Sequence, residues 1–266
     1  MKMRNYFLVI IGLMLSLLSL NLSAQWKLEN SFKIKGEFVG ADIQKNLYFT
    51  ENAFLIKTNS SGQQLFSYGN INYGNITSAD INNPLKLVLF YNDFNYVVFL
   101  NNKFSLLREP INLDDLGLSN IEAVCGSQQG GFWLFDANKN NLKYFDSYLN
   151  KINESNSFML INENDEITHI AEFSKYILLA FAESGIFLLD NFAGFIKNLK
   201  YNNVEAVSIN NENLYLISAN KLIIFNLKFG TEKLIDLPEA NYDRAYILSD
   251  KIYLVINNYL KVYSLL

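Results

Sequence analysis

The chain has 266 residues, 50% of them apolar and only 18% charged, with a net charge of −4. That length and apolar content suit one large folded domain and exclude a disordered chain. A single histidine and a single cysteine exclude a protein-only zinc or other transition-metal site, and the acidic balance argues against nucleic acid and anionic lipid surfaces as partners.

Residues 1–24 carry a basic start, an apolar run from Tyr6 to Leu20 and a small-residue exit at Ser23-Ala24. This pattern predicts a signal peptide cleaved before Gln25, leaving one domain over residues 25–266. The apolar run is short for a membrane span and no stop-transfer flank follows, so no stable membrane insertion is expected after cleavage. The expected location is the periplasm or the outer cell envelope and exterior. No cysteine follows the exit, which disfavours a lipid anchor. Cys125, alone, cannot form an internal disulfide and is expected to be a small buried core residue. Loss of Lys2 and Arg4 takes the mature charge to −6.

From residue 39 onward the chain repeats. Six segments, NLYFT (46–50), KLVLF (86–90), GFWLF (131–135), YILLAF (176–181), NLYLIS (213–218) and KIYLVI (251–256), share a central position held by Tyr48, Val88, Trp133, Leu178, Tyr215 and Tyr253. Successive copies are 40, 45, 45, 37 and 38 residues apart. A short strand rich in small residues precedes each: VGADI, ITSADI, IEAVC, ITHIA, VEAVSI and DRAYI. A polar turn and a third strand follow each, and five copies add a fourth strand, as in QQLFSY, FSLLREP and EKLIDLP. Four strands per unit of about 41 residues, alternating and without helical period, predict an all-β propeller of six four-stranded antiparallel blades. The sixth unit ends after three strands, and WKLENSFKI (26–34) is the spare strand that would complete it and close the ring.

Over this length the chain resembles the six-bladed β-propeller superfamily of the NHL and TolB-like kind. GSQQGGFWLFD is also similar to a sialidase Asp box, with Gln129 in place of the acid. The recurring aromatics Tyr48, Trp133, Tyr215 and Tyr253 are expected in the core between blades.

Few reactive constellations are available. No G-x-S-x-G elbow presents a serine to His169, no phosphate or dinucleotide fingerprint occurs, and only Arg108 and Arg244 remain after cleavage to hold a sialidase carboxylate. Alignment of the innermost strands places Glu122, Thr168, Glu205 and Asp243 in one register, with Val39 and Thr77 completing it. Ala123, His169, Ala206 and Arg244 come one step further, with Gly40 and Ser78. These residues should ring one mouth of the central channel. Propeller lactonases, which the resemblance brings into view, hold Ca²⁺ at such a mouth, and Glu122, Glu205 and Asp243 could supply oxygen ligands here. Converging acids could also raise one another's pKa, with His169 titrating beside them, or could be solvated groups that Arg244 partly neutralises. The longest connections, 111–120 and 155–166, suit either a protein contact or a cover for the inter-blade core.

The leading expectation is an exported, non-enzymatic propeller serving as an interaction scaffold or accessory subunit in the envelope, with a protein partner on the mouth side and no required cofactor. The alternatives are a calcium-dependent hydrolase of lactonase type, and small-ligand or glycan binding.

Overall fold

A computed structural model describes residues 26–159, 161 and 165–266. The signal-peptide expectation therefore lies outside the described residues. Strand β1 is Trp26–Lys33. Blade 1 follows with β2 (Glu37–Ala41), β3 (Leu47–Glu51), β4 (Phe54–Thr58) and β5 (Gln64–Gly69), and blade 2 with β6 (Ser78–Asp80), β7 (Leu87–Tyr91), β8 (Tyr96–Leu100) and β9 (Ile111–Asn112). Blade 3 comprises β10 (Ile121–Gly126), β11 (Phe132–Asp136), β12 (Asn141–Phe145) and β13 (Lys151–Glu154). Blade 4 comprises β14 (Ile167–Phe173), β15 (Tyr176–Phe181), β16 (Gly185–Leu189) and β17 (Phe195–Leu199). Blade 5 is β18 (Ala206–Asn210), β19 (Asn213–Ser218), β20 (Lys221–Asn226) and β21 (Glu232–Asp236). Blade 6 is β22 (Arg244–Leu248), β23 (Lys251–Ile256) and β24 (Tyr259–Leu265).

Each blade is a four-stranded antiparallel sheet, and β1 supplies the fourth strand of blade 6, with Trp26 opposite Leu265 and Lys33 opposite Tyr259. The spare N-terminal strand closes the ring as expected. Closure removes the open flanks at which an unclosed array of blades would pair with another chain.

Alternation explains how the blades stack. Apolar residues on both faces of the middle strands are buried, as in β7 and β16, and side chains of adjacent blades merge into shared clusters. Trp133 and Tyr48 are fully enclosed and Tyr253 nearly so, while Tyr215 is half-buried. Enclosure obliges the polar tips to find partners. Trp133 Nε1 donates to Glu172 Oε2 at 2.7 Å, and Tyr48 OH donates to Asp42 Oδ2 at 2.9 Å. Cys125 is buried and free.

The glycine pair before β11 ends a tight turn. Gly130 has φ +98°, and a Cβ on Gly131 would fall 1.8 Å from the Phe145 carbonyl oxygen, so the backbone pairing there admits only glycine.

Two strand expectations are corrected. In blade 2, FSLLREP does not form the fourth strand. Against β8 it makes one bridge, Leu100 to Leu106, and one bond from Leu107 N–H to the Phe99 carbonyl. Ile111–Asn112, beyond Pro110, takes the outer position instead. In blade 1 the innermost strand starts two residues early. Glu37 faces Thr50, a bulge falls at Val39, and Gly40 faces Tyr48.

Candidate functional site at the channel mouth

The six innermost strands all run the same way, so their first residues collect at one end of the central channel. Loops entering from the preceding blade, and the turns joining second to third strands, share this mouth face. The turns joining first to second and third to fourth strands lie on the opposite, far face.

The channel is a cavity of about 660 Å³ lined by residues of the innermost strands, and Glu122, Thr168, His169, Glu205, Asp243 and Arg244 are all on its wall. Glu122, Thr168, Glu205 and Asp243 are placed by the same local device: two consecutive residues of the inner strand oppose one residue of the second strand. Glu205 N–H and Asp243 N–H bond the carbonyls of Ile217 and Val255 at 2.9 and 2.7 Å, while Glu122 and Thr168 sit at bulges. Such bulges aim a side chain out of the pleat and into the channel.

The corrected register changes the membership of this ring. Glu37, and not Gly40, stands level with Arg244, His169, Ala206, Ala123 and Ser78. Arg244 Nη2 donates to Glu37 Oε2 at 2.6 Å, joining the last blade to the first across the closure point. Sequence alignment missed Glu37 because it assumed one offset for every blade.

The acids do not converge. Asp243 Oδ2 accepts the Asn257 N–H at 3.0 Å, and Glu205 Oε1 accepts from Tyr242 OH at 2.9 Å. Among the described residues no three His, Cys, Asp or Glu groups come together to hold a metal ion, so the calcium set of Glu122, Glu205 and Asp243 is not assembled as a cluster. Their separate partners explain this: Asp243 is tied to a turn of its own blade and Glu205 to the connection entering blade 6.

Electrostatics at the mouth follow from the walls. Desolvation raises the Glu122 carboxyl above the usual range, and the neighbouring Glu166 charge adds to it. Desolvation raises Glu205 as well, against the Tyr242 hydrogen bond, which lowers it. His169 is pushed down to about 4 by burial, partly offset by a bond with the Glu205 backbone, and is therefore neutral at pH 7. Its Nδ1 lies 3.1 Å from Thr168 Oγ1, and that hydroxyl donates to the Ala180 carbonyl at 3.2 Å. Deeper in the channel, desolvation raises Asp80, although its carboxylate accepts N–H bonds from Gly126 (2.8 Å) and Asn82 (3.0 Å).

The two long loops resolve into covers where described. Leu113 and Leu118 are buried, and Asn95 Nδ2 bonds Asp114 Oδ1 at 2.7 Å and the Leu118 carbonyl at 2.5 Å. Phe158 is buried between Phe135 and Phe187.

The sequence matches no protein-family model and no curated protein. Solved structures are similar in fold. The Pan2 WD40 domain of Neurospora crassa has a TM-score of 0.62 at 8% identity, over 90% of this chain and 95% of that one. Virginiamycin B lyase of Staphylococcus aureus has 0.62 at 11%, over 91% and 100%. BamB of Moraxella catarrhalis has 0.50 at 12%, over 86% and 70%. At these identities the likeness is one of β-propeller architecture, and that architecture hosts unrelated functions.

Proposed function

We propose that this protein is an exported, non-enzymatic six-bladed propeller that acts as an interaction scaffold or accessory subunit in the periplasm or cell envelope, holding a protein partner through its mouth face. The observation that carries this reading is the state of the mouth carboxylates. Glu37, Glu205 and Asp243 are each engaged by a neighbouring side chain or backbone group, giving a fixed acidic rim rather than a reactive pair. A catalytic base needs a nucleophile or water within hydrogen-bond reach, and His169, the one imidazole, is paired with a hydroxyl that is itself spent on a backbone carbonyl. A rim of fixed negative charge on a rigid ring suits a basic patch on a partner, where complementarity steers encounter and fixes register.

The test is charge reversal at the rim. Glu122→Arg combined with Glu205→Arg should abolish recovery of a defined protein complex from the native envelope, while the variant keeps the wild-type melting temperature. A complex recovered equally well with the reversed rim would refute the mouth as the binding face.

One observation favours a second reading, small-ligand binding or hydrolysis inside the channel: Glu122, Glu205 and Asp80 all have raised carboxyl pKa values within one cavity. Calcium titration followed by thermal unfolding separates the two. A calcium-dependent rise in midpoint that Glu205→Gln removes would support the metal-dependent alternative.

A further inference from the structure

Eight large apolar side chains among the described residues are more than two-thirds exposed, and six of them lie on the far face. They are distributed one per blade: Ile43, Leu85, Tyr148, Phe192, Phe229 and Leu266 in blades 1 to 6, with exposures between 69% and 85%. The other two, Ile71 and Met159, are on mouth-side connections. Scattered exposed apolar residues need no explanation, but one in every blade on one face does.

The turns that carry them are rigid. Tyr148, Phe192 and Phe229 N–H groups donate at 2.8 Å to the side-chain oxygens of Asp146, Asp190 and Asn226, and Leu85 N–H donates to Asn83 at 3.0 Å. Each such turn fixes its backbone through a side chain and leaves the apolar residue pointing off the tip. The acids of these turns are thus committed to backbone N–H groups, and exposed lysines 45, 103 and 228 stand in the same set of turns. Lysines therefore stand among the apolar tips, beside turn acids whose carboxylates are held by backbone N–H groups.

We propose that the far face docks on a lipid bilayer, each tip entering the interface between headgroups and acyl chains. One feature favours a bilayer over a protein. The apolar residues are separate protrusions around the whole ring, spaced by polar turn residues, whereas a protein interface buries a contiguous apolar centre. Bilayer interfaces instead accept scattered aromatic and aliphatic side chains with lysine beside them. The far-face turns carry Asp42, Asp146, Asp190 and Asp250 beside these lysines, so the contact is with zwitterionic rather than anionic lipid.

The reading is independent of the mouth face, and its test uses residues 25–266, which contain every strand of the closed ring. Flotation with phosphatidylcholine vesicles should carry the wild-type ring. Partition should fall by about tenfold or more in Tyr148→Ser/Phe192→Ser/Phe229→Ser and stay unchanged in Ile71→Ser. In Phe192→Trp, which keeps an aromatic ring at the tip, vesicles of lipids brominated near the headgroup should quench part of the emission. A wild-type ring that stays with the aqueous fraction, or a triple variant that floats equally well, overturns the proposal. Self-association of the wild-type ring without vesicles, absent in the triple variant, would assign the tips to contacts between copies and also overturn it.

Discussion

Blade 3 holds two aromatic residues with opposite fates. Trp133 on β11 is fully enclosed and bonded to Glu172 of the next blade, while Tyr148, at the turn between β12 and β13, is 85% exposed. Both belong to series repeated around the ring: Tyr48, Trp133 and Tyr253 inside, Tyr148, Phe192 and Phe229 outside. Recurrence of a residue type therefore says that the fold has equivalent positions. What the residue does depends on whether the next blade covers it. The inner series holds blades together, and the outer series is free for a partner surface.

That contrast can be broken by mutation. Trp133→Ala should cost about 3–5 kcal/mol, because it leaves a cavity and deprives Glu172 Oε2 of its donor while Oε1 keeps the Gln128 N–H, and the denaturation midpoint would show it. Asp190→Ala should cost about 1–2 kcal/mol through loss of the carboxylate oxygen that accepts from the Phe192 and Gly194 N–H groups, measured the same way. Smaller still is Arg244→Ala, whose exposed pair with Glu37 is expected to contribute at most about 1 kcal/mol and to weaken with salt. Phe192→Ser should change stability by about 0.5 kcal/mol or less. A large loss in Phe192→Ser would erase the distinction between the two series.

The mouth offers a pH test with an unambiguous probe, since the chain has one histidine. Its proton resonance should titrate near 4 rather than 6.5. The folded state binds the proton more weakly than the unfolded chain. His169 therefore costs no stability above about pH 6.5, and its cost grows as pH falls toward 4. His169→Gln should flatten stability across that window, and a titration midpoint near 6.5 would show the imidazole to be fully hydrated.

The ring itself was legible because strand alternation and turn chemistry recur at one spacing, and because an incomplete last unit and a spare first strand fit each other. Glu37 was not, since a bulge at Val39 is a backbone event that leaves no mark in a five-residue apolar segment. FSLLREP misled for a related reason: it has strand composition but touches β8 only at Phe99 and Leu100, and ladder pairing with Tyr96 and Val97 begins past Pro110, at Ile111–Asn112. Glu172 and Asp42, which satisfy buried Trp133 and Tyr48, look like ordinary turn acids in the sequence. The committed state of the mouth acids depended on Tyr242 and Asn257, which no spacing rule connects to them.

The two faces make opposite demands, and one experiment in native cells reads both. A photo-crosslinking amino acid placed at position 205 should yield a discrete protein adduct, and one placed at 148 should yield lipid adducts. Protein adducts from position 148 with none from 205 would contradict the assignment of the mouth to a partner and the far face to a membrane.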